Sequence, residues 1–342
     1  MKVLFITRKY PPQIGGMESF SYGLINNIQC GKDTVILNKK QINLIWWLPY
    51  AFIISLVKTR KADVIHLGDG LLAPIGLILK KISRRPVAIT VHGLDVTYNN
   101  WFYQKINAAS LKYLDKVICV SESTRQDCLQ RHITENKLII IPDGINGNKF
   151  SISNFQFSNK DKKILLTVGR LVKRKGHEWF IREVMPQLEK NIQYWIVGKG
   201  PEKGNIEKVI QEKNLQNRVK LLGFVSEEKI KEIYHQANLF IMPNIEVKGD
   251  REGFGIVALE ASASGLPVVA SDLEGLKDAI IDGQNGFLVK AQDKETYTNK
   301  INSLLHTDLK DFKIQAKKYT LDHYNWPIIS QKYLEIFKKT TN

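Results

Sequence analysis

Cysteine is scarce in this sequence of 342 residues, which holds only Cys30, Cys119 and Cys128. Three thiols cannot form an even-numbered disulfide framework, and their spacing matches no metal-ligand motif. This usage is typical of a protein in a reducing compartment. The short apolar run of residues 1–7 is followed by two basic residues and has no small-residue cleavage site, so it predicts a β-strand rather than a signal peptide.

Long apolar segments are also lacking. Residues 42–57 are mostly apolar, but they fall short of the ~20 residues that cross a bilayer, and Pro49 is expected to interrupt them. The segment either lies in a membrane interface, with Trp46, Trp47 and Tyr50 at headgroup depth, or forms a buried core helix. In the second interpretation, the basic residues nearby are merely solvated by water. They are Lys58, Arg60, Lys61, Lys80, Lys81, Arg84 and Arg85.

Acidic residues are too few to balance the charge, and the formal net charge is +16. Residues 1–150 carry twenty Lys and Arg against ten Asp and Glu, so most of the excess lies in the N-terminal half. A basic N-terminal half suggests an anionic partner, either nucleic acid or a membrane surface. No helix-turn-helix, zinc-finger or RRM motif is present. The sequence therefore favours an anionic membrane surface bound by the basic N-terminal domain, and predicts no nucleic-acid partner.

The length exceeds that of a usual single domain, so two domains are expected. Short β-branched runs alternate with helical stretches, which predicts an α/β fold with two Rossmann-like, doubly wound parallel-sheet domains facing a central cleft. A polar stretch at 151–163 is the predicted linker. The predicted strands are Val3–Thr7, Thr34–Leu37, Val64–Leu67, Val87–Val91, Val117–Val120, Leu138–Ile141, Ile164–Val168, Tyr194–Val197, Val219–Leu222, Leu239–Met242 and Val268–Ala270.

Ligands of such sheets bind beyond the carboxyl ends of the strands. Gly15 and Gly16 follow the first strand and open a helix, where backbone N–H groups can meet an anion, although a plain loop is an equally simple reading. Directly after the first strand of the second domain comes the loop 169–176. Its Arg170 and Lys175 could bind a diphosphate, or the loop could be solvated.

The segment 251–267 is the most informative. It predicts a helix over Gly255–Ser264 that ends at Gly265, with Glu252 just before it and Glu260 about two turns later. A nucleotide sugar at the helix N-terminus would meet backbone N–H groups, and the carboxylates could bind sugar hydroxyls and a ribose diol. The alternative is an acid that favours the helix dipole plus an exposed glutamate. The N–H groups belong to Gly253, Phe254, Gly255 and Ile256.

His92 follows the fourth strand and can orient a polar ligand, whereas His66, which also ends a strand, is a weaker candidate. A lone histidine in a loop is more often structural. Gly198 and Gly200 follow another strand but lack the third glycine of a dinucleotide fingerprint, so we do not expect NAD binding.

Together these segments resemble the glycosyl transferases group 1 family of retaining GT-B enzymes, which includes bacterial phosphatidylinositol mannosyltransferases and lipopolysaccharide and capsule glycosyltransferases. The resemblance covers nearly the whole chain, and its most specific part is the glutamate pair. The segments that carry it are Gly15-Gly16, His92–Asp95, Pro142–Asn146, Gly169–Gly176, Glu252 with Glu260, and Asp282–Gly286.

The resemblance implies roles for these residues. Arg170 and Lys175 would bind the donor diphosphate and stabilise the leaving nucleoside diphosphate, and His92 would lie at the reacting face of the sugar. Glu252 would bind the donor sugar and Glu260 the ribose. Further donor-binding residues would be Gly15, Gly16, Gly169, Phe224, Val225, Gly253, Phe254, Gly255 and Ile256.

The implied reaction is front-face retention, in which a phosphate oxygen takes the acceptor proton and charge stabilisation supplies much of the rate. The implied donor is a UDP- or GDP-hexose, with no cofactor and no metal. The acceptor would be a lipid-linked glycan, and the enzyme would lie in the cytoplasm, peripheral on the inner face of the cytoplasmic membrane. The alternatives are a non-catalytic glycan- or lipid-binding module on this scaffold and a GT-B epimerase or phosphorylase.

The implied domains are an acceptor-side domain at 1–152, a nucleotide-sugar domain at 162–320, and a helix at 321–342 that crosses back to the first domain. Trp326 and Tyr333 are expected to pack there. The family's frequent Ile-Pro-Glu is replaced by residues 276–278, which puts the contacts of that loop in question.

Overall fold

The computed structural model of the chain describes residues 1–39, 41–98, 100–150 and 162–341. The chain forms two compact units. Unit 1 comprises Met1–Ile145, Gly249–Phe254 and Tyr324–Asn342, and unit 2 comprises Asn146–Lys248 and Gly255–His323. Most of the predicted linker, residues 151–161, lies outside the described residues. The predicted domain limits at 152, 162 and 320 stay predictions.

Unit 1 is built on a parallel sheet of six strands within the described residues, in the order β2-β1-β3-β4-β5-β6. All six predicted strands of the first half are confirmed, with bounds shifted by three residues at most. Four of them, β1, β3, β4 and β5, are runs of mostly apolar residues buried on both faces, which makes such strands recognisable in the sequence. The strands are β1 Lys2–Thr7, β2 Gly31–Ile36, β3 Val64–Leu67, β4 Val87–Val91, β5 Lys116–Cys119 and β6 Leu138–Ile140.

Helices cover both faces of this sheet and bury a separate apolar cluster on each. One cluster holds side chains of α2, α3, α5 and α6, and the other holds side chains of α1 and α14. The helices are α1 Gly16–Asn27, α2 Leu44–Lys58, α3 Ala73–Ser83, α4 Leu94–Thr97, α5 Trp101–Tyr113, α6 Glu122–Gln130 and α14 Trp326–Thr341.

The apolar segment forms α2, which is buried on one face and exposed on the other. Trp47 is only 7% exposed and packs in the core, so the prediction that it lies at headgroup depth is wrong. Trp46 is 81% exposed. Pro49 lies within the helix instead of interrupting it. The carbonyl of Ile45, which loses its helical partner to Pro49, belongs to a residue that is 75% exposed, so water can bind it.

Across the described ranges, no helix is both long enough and apolar enough to cross a membrane.

Unit 2 contains a second parallel sheet, also of six strands in the part of the chain described, in the order β12-β11-β10-β7-β8-β9. The five predicted strands are confirmed, and a sixth, the short β12, was missed. The strands are β7 Lys163–Val168, β8 Ile192–Val197, β9 Val219–Gly223, β10 Leu239–Met242, β11 Val268–Ser271 and β12 Phe287–Val289. The helices are α7 His177–Trp179, α8 Lys203–Glu212, α9 Glu227–Gln236, α10 Ile256–Ala263, α11 Leu276–Ala279, α12 Lys294–Leu305 and α13 Lys310–Tyr324.

The predicted glutamate helix is confirmed as α10. Gly255 precedes it with φ 92°, and Gly265 follows it with φ 78°, so glycines in left-handed conformations bound it at both ends. Most of this short helix is buried, so the glycine that follows it, and not an apolar period, marks its end in the sequence.

The C-terminal helix α14 is part of unit 1 and packs against α1. Trp326 and Tyr333 are buried in the cluster shared with α1, as predicted. The Tyr333 hydroxyl lies 3.1 Å from the hydroxyl of Thr90, which in turn lies 2.9 Å from Nε2 of His66. His66 is fully buried, and burial lowers its pKa to about 3, so it is a neutral packing residue.

Gly23 marks the closest approach of α1 to α14. A Cβ atom at this position would lie 1.9 Å from Cε2 of Trp326. Alanine normally stabilises a helix interior relative to glycine. Here the clash dominates, so Gly23→Ala should lower the free energy of unfolding by about 1–3 kcal/mol.

Gly204, in α8, is the matched control because a Cβ there would meet no atom within 4 Å. Gly204→Ala should leave stability unchanged or raise it by up to ~1 kcal/mol. Urea unfolding of the full chain, followed by circular dichroism, measures both variants. A more stable Gly23→Ala protein would contradict the packing of α14 on α1.

Candidate functional site

The predicted residues of unit 2 lie at one edge of its sheet. Gly169 and Arg170 follow β7, Gly198 follows β8 and Phe224 follows β9. Because β7, β8 and β9 run parallel, their carboxyl ends meet at the same edge. This is the edge where ligands bind in doubly wound sheets.

Glycines let the loops at this edge touch through their backbones. A Cβ at Gly198 would lie 1.8 Å from the carbonyl oxygen of Gly169, and one at Gly176 would lie 1.8 Å from that of Pro243. Gly176 also has φ 67°, in the left-handed region. A side chain at either position would force the loops apart.

The two predicted diphosphate ligands of the basic loop differ in exposure. Lys175 is 5% exposed, and its Cε lies 3.5 Å from the position of a Cβ on Gly169. Arg170 is exposed. A guanidinium and an ammonium are groups that make charge-assisted hydrogen bonds to phosphate oxygens. The loop is therefore suited to a diphosphate.

His177 follows the basic loop and supports it. Its Nδ1 lies 3.0 Å from the hydroxyl of Tyr194, a residue of β8. Burial lowers the pKa of His177 to about 3, with a further contribution from Lys175. His177 is thus neutral, and it fixes the start of α7 beneath the loop instead of adding charge.

Glu260 lies on α10 in a confined polar environment. The Tyr234 hydroxyl donates to its Oε2 across 3.4 Å. Burial raises the pKa of Glu260 to about 7, while nearby Lys149 and Tyr234 act in the opposite direction. Lys149 also pairs with Glu227 at 2.7 Å. Its carboxyl oxygens can accept hydrogen bonds from ligand hydroxyls when the group is ionised.

Phe224 presents an aromatic face to solvent. Its side chain is 56% exposed, and Gly223 before it has φ 67°. Nζ of Lys199 lies 5.9 Å from the ring centroid. An exposed ring beside a cation suits the stacking of a flat, electron-rich group such as a nucleobase.

In unit 1, His92 follows β4 and lies near two carboxylates. Asp143 follows β6 and is buried, and among the described residues its Oδ1 has no hydrogen-bond partner. Burial raises the pKa of Asp143 to about 6, with His92 lowering it and Glu252 raising it. The three side chains therefore interact electrostatically.

The segment Gly249–Phe254 brings Glu252 to this position. A Cβ on Gly253 would lie 2.5 Å from the carbonyl oxygen of His92, so only glycine permits the approach. Arg251 donates through Nη1 to Oδ1 of the buried Asp127 across 2.8 Å. The Phe254 ring packs against Tyr324 with centroids 6.0 Å apart.

Gly15 and Gly16 lie at the start of α1, as predicted. A Cβ on Gly15 would lie 2.4 Å from Oε2 of Glu18, which is buried and pairs with Lys9 at 3.1 Å. Donor binding by this loop stays a prediction.

The predicted residues thus form two groups, one in each unit. Unit 1 brings together His92, Glu252 and Gly253, with Phe254 adjacent. At the edge of the unit 2 sheet or on α10 lie Gly169, Arg170, Lys175, Phe224, Val225, Gly255, Ile256 and Glu260. Their roles stay predictions.

Several neighbours escaped sequence reasoning. Lys149 is far from Glu260 in the chain, and nothing in the local pattern at Asp127 indicated a partner for Arg251. Asp143 belongs to Pro142–Asn146, one of the segments that carry the family resemblance, but the sequence assigned it no function. Over the described ranges, no cluster of three or more His, Cys, Asp or Glu side chains is arranged to hold a metal ion.

Comparison with known proteins gives consistent matches along the chain. The profile of "Glycosyl transferases group 1" matches residues 148–319, and that of "Glycosyltransferase Family 4" matches residues 1–149. An uncharacterized glycosyltransferase of Methanocaldococcus jannaschii is 28% identical over 99% of this chain and 98% of its own length. The GDP-mannose-dependent alpha-(1-6)-phosphatidylinositol monomannoside mannosyltransferase of Mycolicibacterium smegmatis is 23% identical over 95% of both chains.

Among solved structures, the Anabaena protein HepE in complex with UDP-glucose superposes with a TM-score of 0.82 at 19% identity, covering 99% of this chain and 100% of that one. At that identity the likeness establishes the fold, which is the predicted GT-B fold with its two Rossmann-like domains.

Proposed function

The chain belongs to the glycosyl transferases group 1 family, and from that premise we propose that it is a retaining hexosyltransferase. It moves a hexosyl group from a nucleotide-diphosphate sugar to a membrane-linked acceptor, a glycan on a polyprenyl or phospholipid carrier. The observation that carries the proposal lies at the edge of the unit 2 sheet. There Arg170 and Lys175 belong to a glycine-containing loop after β7, and the exposed ring of Phe224 follows β9, two strands away in the same sheet.

The donor is proposed to bind through its charged and polar parts. Arg170 and Lys175 hold the diphosphate, because a guanidinium and a desolvated ammonium make strong charge-assisted hydrogen bonds to phosphate oxygens. Glu260 accepts from the ribose hydroxyls, and Phe224 with Val225 contacts the base. The name of the mycobacterial relative specifies GDP-mannose, and HepE was solved with UDP-glucose, so we propose a GDP- or UDP-hexose.

The proposed chemistry is a front-face displacement. The acceptor hydroxyl forms its bond to the anomeric carbon as the bond from that carbon to the diphosphate oxygen breaks. The acceptor proton passes to a phosphate oxygen of the leaving group. Negative charge grows on the diphosphate in the transition state, and Arg170 and Lys175 stabilise it. His92 and Glu252 are proposed to bind the donor sugar. Neither a cofactor nor a metal takes part in this proposal.

A lipid-linked acceptor places the enzyme at a membrane, and three helices of unit 1 support that part of the proposal. Helix α3 packs between α2 and α5, and none of the three contains an acidic residue. On α2, exposed apolar side chains recur at helical spacing opposite the buried face. They are Trp46, Tyr50, Ile53 and Val57.

Exposed apolar side chains also lie on α3 and α5, among them Ile82, Trp101 and Phe102. Aromatic side chains beside lysines and arginines are typical of surfaces that bind anionic interfaces. We propose that this acid-free layer rests on the inner face of the cytoplasmic membrane.

Donor binding is tested by Lys175→Ala. The full chain should be stabilised against heat by either UDP or GDP, because a ligand that binds only the folded state raises its stability. Lys175→Ala should weaken that nucleotide by roughly 10- to 100-fold, the loss of one charged hydrogen bond, and should abolish transfer.

The matched control is Lys173→Ala, which removes an exposed cation from the same loop and should bind like the wild type. ADP, NAD and pyridoxal phosphate complete the screen. Failure of every nucleotide to stabilise the wild type would favour a non-catalytic module, and stabilisation by pyridoxal phosphate would favour a phosphorylase.

Membrane binding is tested by Trp46→Glu. The full chain should sediment with vesicles that contain phosphatidylglycerol, and less with pure phosphatidylcholine. Trp46→Glu should reduce that binding at least ~10-fold, because it removes apolar area and adds a repelled charge.

Ile314→Glu is the control. Ile314 is an exposed apolar residue of unit 2, and its replacement by glutamate changes the net charge by the same amount as Trp46→Glu does. Equal binding of the two variants, or no preference for anionic vesicles, would contradict the proposed membrane surface.

A further inference from the structure

Helices α9 and α10 and a short helix at Gly147–Phe150 bring four polar side chains of unit 2 together. Helix α9 supplies Glu227 and Tyr234, whose spacing in the chain puts them on the same face of the helix. The short helix packs against α10 and supplies Lys149. Glu260 lies on α10 itself. The group therefore consists of two acids, one cation and one hydroxyl.

The Glu260 carboxylate makes little use of the protein as a hydrogen-bond donor. Among the described residues, only the Tyr234 hydroxyl donates to it, across 3.4 Å. Nζ of Lys149 pairs instead with Oε1 of Glu227 at 2.7 Å. The Glu227 side chain is 71% exposed, and an ion pair with so exposed a partner is weak. Lys149 can therefore act on Glu260 as well.

Lys149 opposes the effect of burial on Glu260. Loss of hydration raises the pKa of Glu260 to about 7, and the like charge of Glu227 raises it further. Lys149 acts in the opposite direction, and its effect on this pKa is larger than that of the Tyr234 hydroxyl. The charge of Glu260 near neutral pH thus depends on the balance between its burial and one lysine.

The other elements packed against α10 add no charge around Glu260 within the described ranges. Strands β10 and β11 contain no titratable side chain. Helices α11 and α13 also contact α10, but none of their charged groups contributes to the pKa of Glu260. In this part of the chain, Lys149, Glu227 and Tyr234 are the groups that act on it.

We propose that Lys149 is a positioning residue of the candidate donor site, which keeps the Glu260 side chain ionised and accepting, and that Glu227 tunes this effect. An ionised carboxylate can accept hydrogen bonds from both hydroxyls of a diol. A protonated carboxyl group presents an O–H donor in place of one acceptor, so it suits a diol less well. The charge of Lys149 is then expressed in donor affinity without contact between Lys149 and the donor.

The inference rests on the proposed function in one respect, since the ligand of Glu260 is taken to be the ribose of a nucleotide sugar. Affinity for that ligand should be highest above the pKa of Glu260 and should fall as the pH is lowered through about 7. Lys149 moves this fall to lower pH, which keeps the site competent at neutral pH, whereas Glu227 moves it to higher pH.

The charge of Glu260 is tested first without ligand, by NMR of the full chain labelled with 13C at the glutamate carboxyl carbon. The Glu260 signal is assigned by its loss in Glu260→Gln. Lys149→Met should move the titration midpoint of Glu260 to higher pH, and Glu227→Gln should move it to lower pH.

Lys208→Met is the matched control, because it removes the same charge from a side chain of α8 that is 76% exposed. This variant should leave the midpoint of Glu260 unchanged. A midpoint that Lys149→Met does not move would overturn the inference.

The effect on the donor is tested by calorimetry with UDP-glucose and GDP-mannose over roughly pH 5.5 to 8.5. The phosphates of a nucleotide sugar keep their charge across this range, so a change in affinity reports on the protein. Lys149→Met should weaken binding by about 3- to 10-fold at neutral pH and leave it unchanged at the alkaline end, where Glu260 is ionised in both proteins.

A lysine with a merely structural role, or one that contacts the donor phosphates, would weaken binding at every pH. With a 2′,3′-dideoxy analogue of the nucleotide sugar, the wild type and Lys149→Met should bind equally, because the diol is missing. In a Glu260→Gln background, Lys149→Met should have no further effect.

Equal weakening across the pH range, or a difference that persists with the dideoxy analogue, would overturn the inference. If neither nucleotide sugar binds the wild type at any pH, the proposed function fails, and the NMR titration still decides whether Lys149 sets the charge of Glu260.

Discussion

Contact between backbones at the carboxyl edge of the unit 2 sheet is the constraint on which the candidate donor site depends. Gly198 lies against the carbonyl of Gly169, and Gly176 against that of Pro243, at distances that no side chain would tolerate. This contact fixes the loop after β7 in a position that buries Lys175 beside the end of the strand. A flexible loop could carry the same cations, but it would lose conformational entropy each time it closed around a diphosphate. Preorganised charge is also the form in which electrostatic stabilisation contributes most to catalysis.

The two units place opposite electrostatic character at their candidate residues. In unit 2 the loop from Arg170 to Lys175 is strongly basic, which suits the nucleotide and its diphosphate. In unit 1 the group of His92, Asp143 and Glu252 is rich in acceptors, which suits the hydroxyls of a sugar. The buried His66 and His177, whose pKa values burial lowers to about 3, show that histidine alone did not identify the site.

Much of the fold could be predicted from the sequence, because the central parallel strands, such as β3, β4, β10 and β11, are buried on both faces and are short, mostly apolar runs. The short β12 was missed, since three apolar residues after Gly286 give too weak a pattern. Helix α2 shows a different limit. It is apolar all round, so no periodicity could separate the buried Trp47 from the exposed Trp46.

The candidate residues were predictable where they sit at strand ends. Their partners were not, because the pairing of Arg251 with Asp127 joins residues far apart in the chain.

The central claim is that this family member transfers a hexose with retention, through charge stabilisation of the leaving nucleoside diphosphate. The most direct measurement is 1H NMR of the full-length protein incubated with the nucleotide sugar that stabilises it and with lipid-linked acceptors, reading the anomeric proton of the product. We predict release of the nucleoside diphosphate and a glycoside with the same anomeric configuration as the donor. A product of inverted configuration, or a bound donor that no acceptor consumes, would contradict the account.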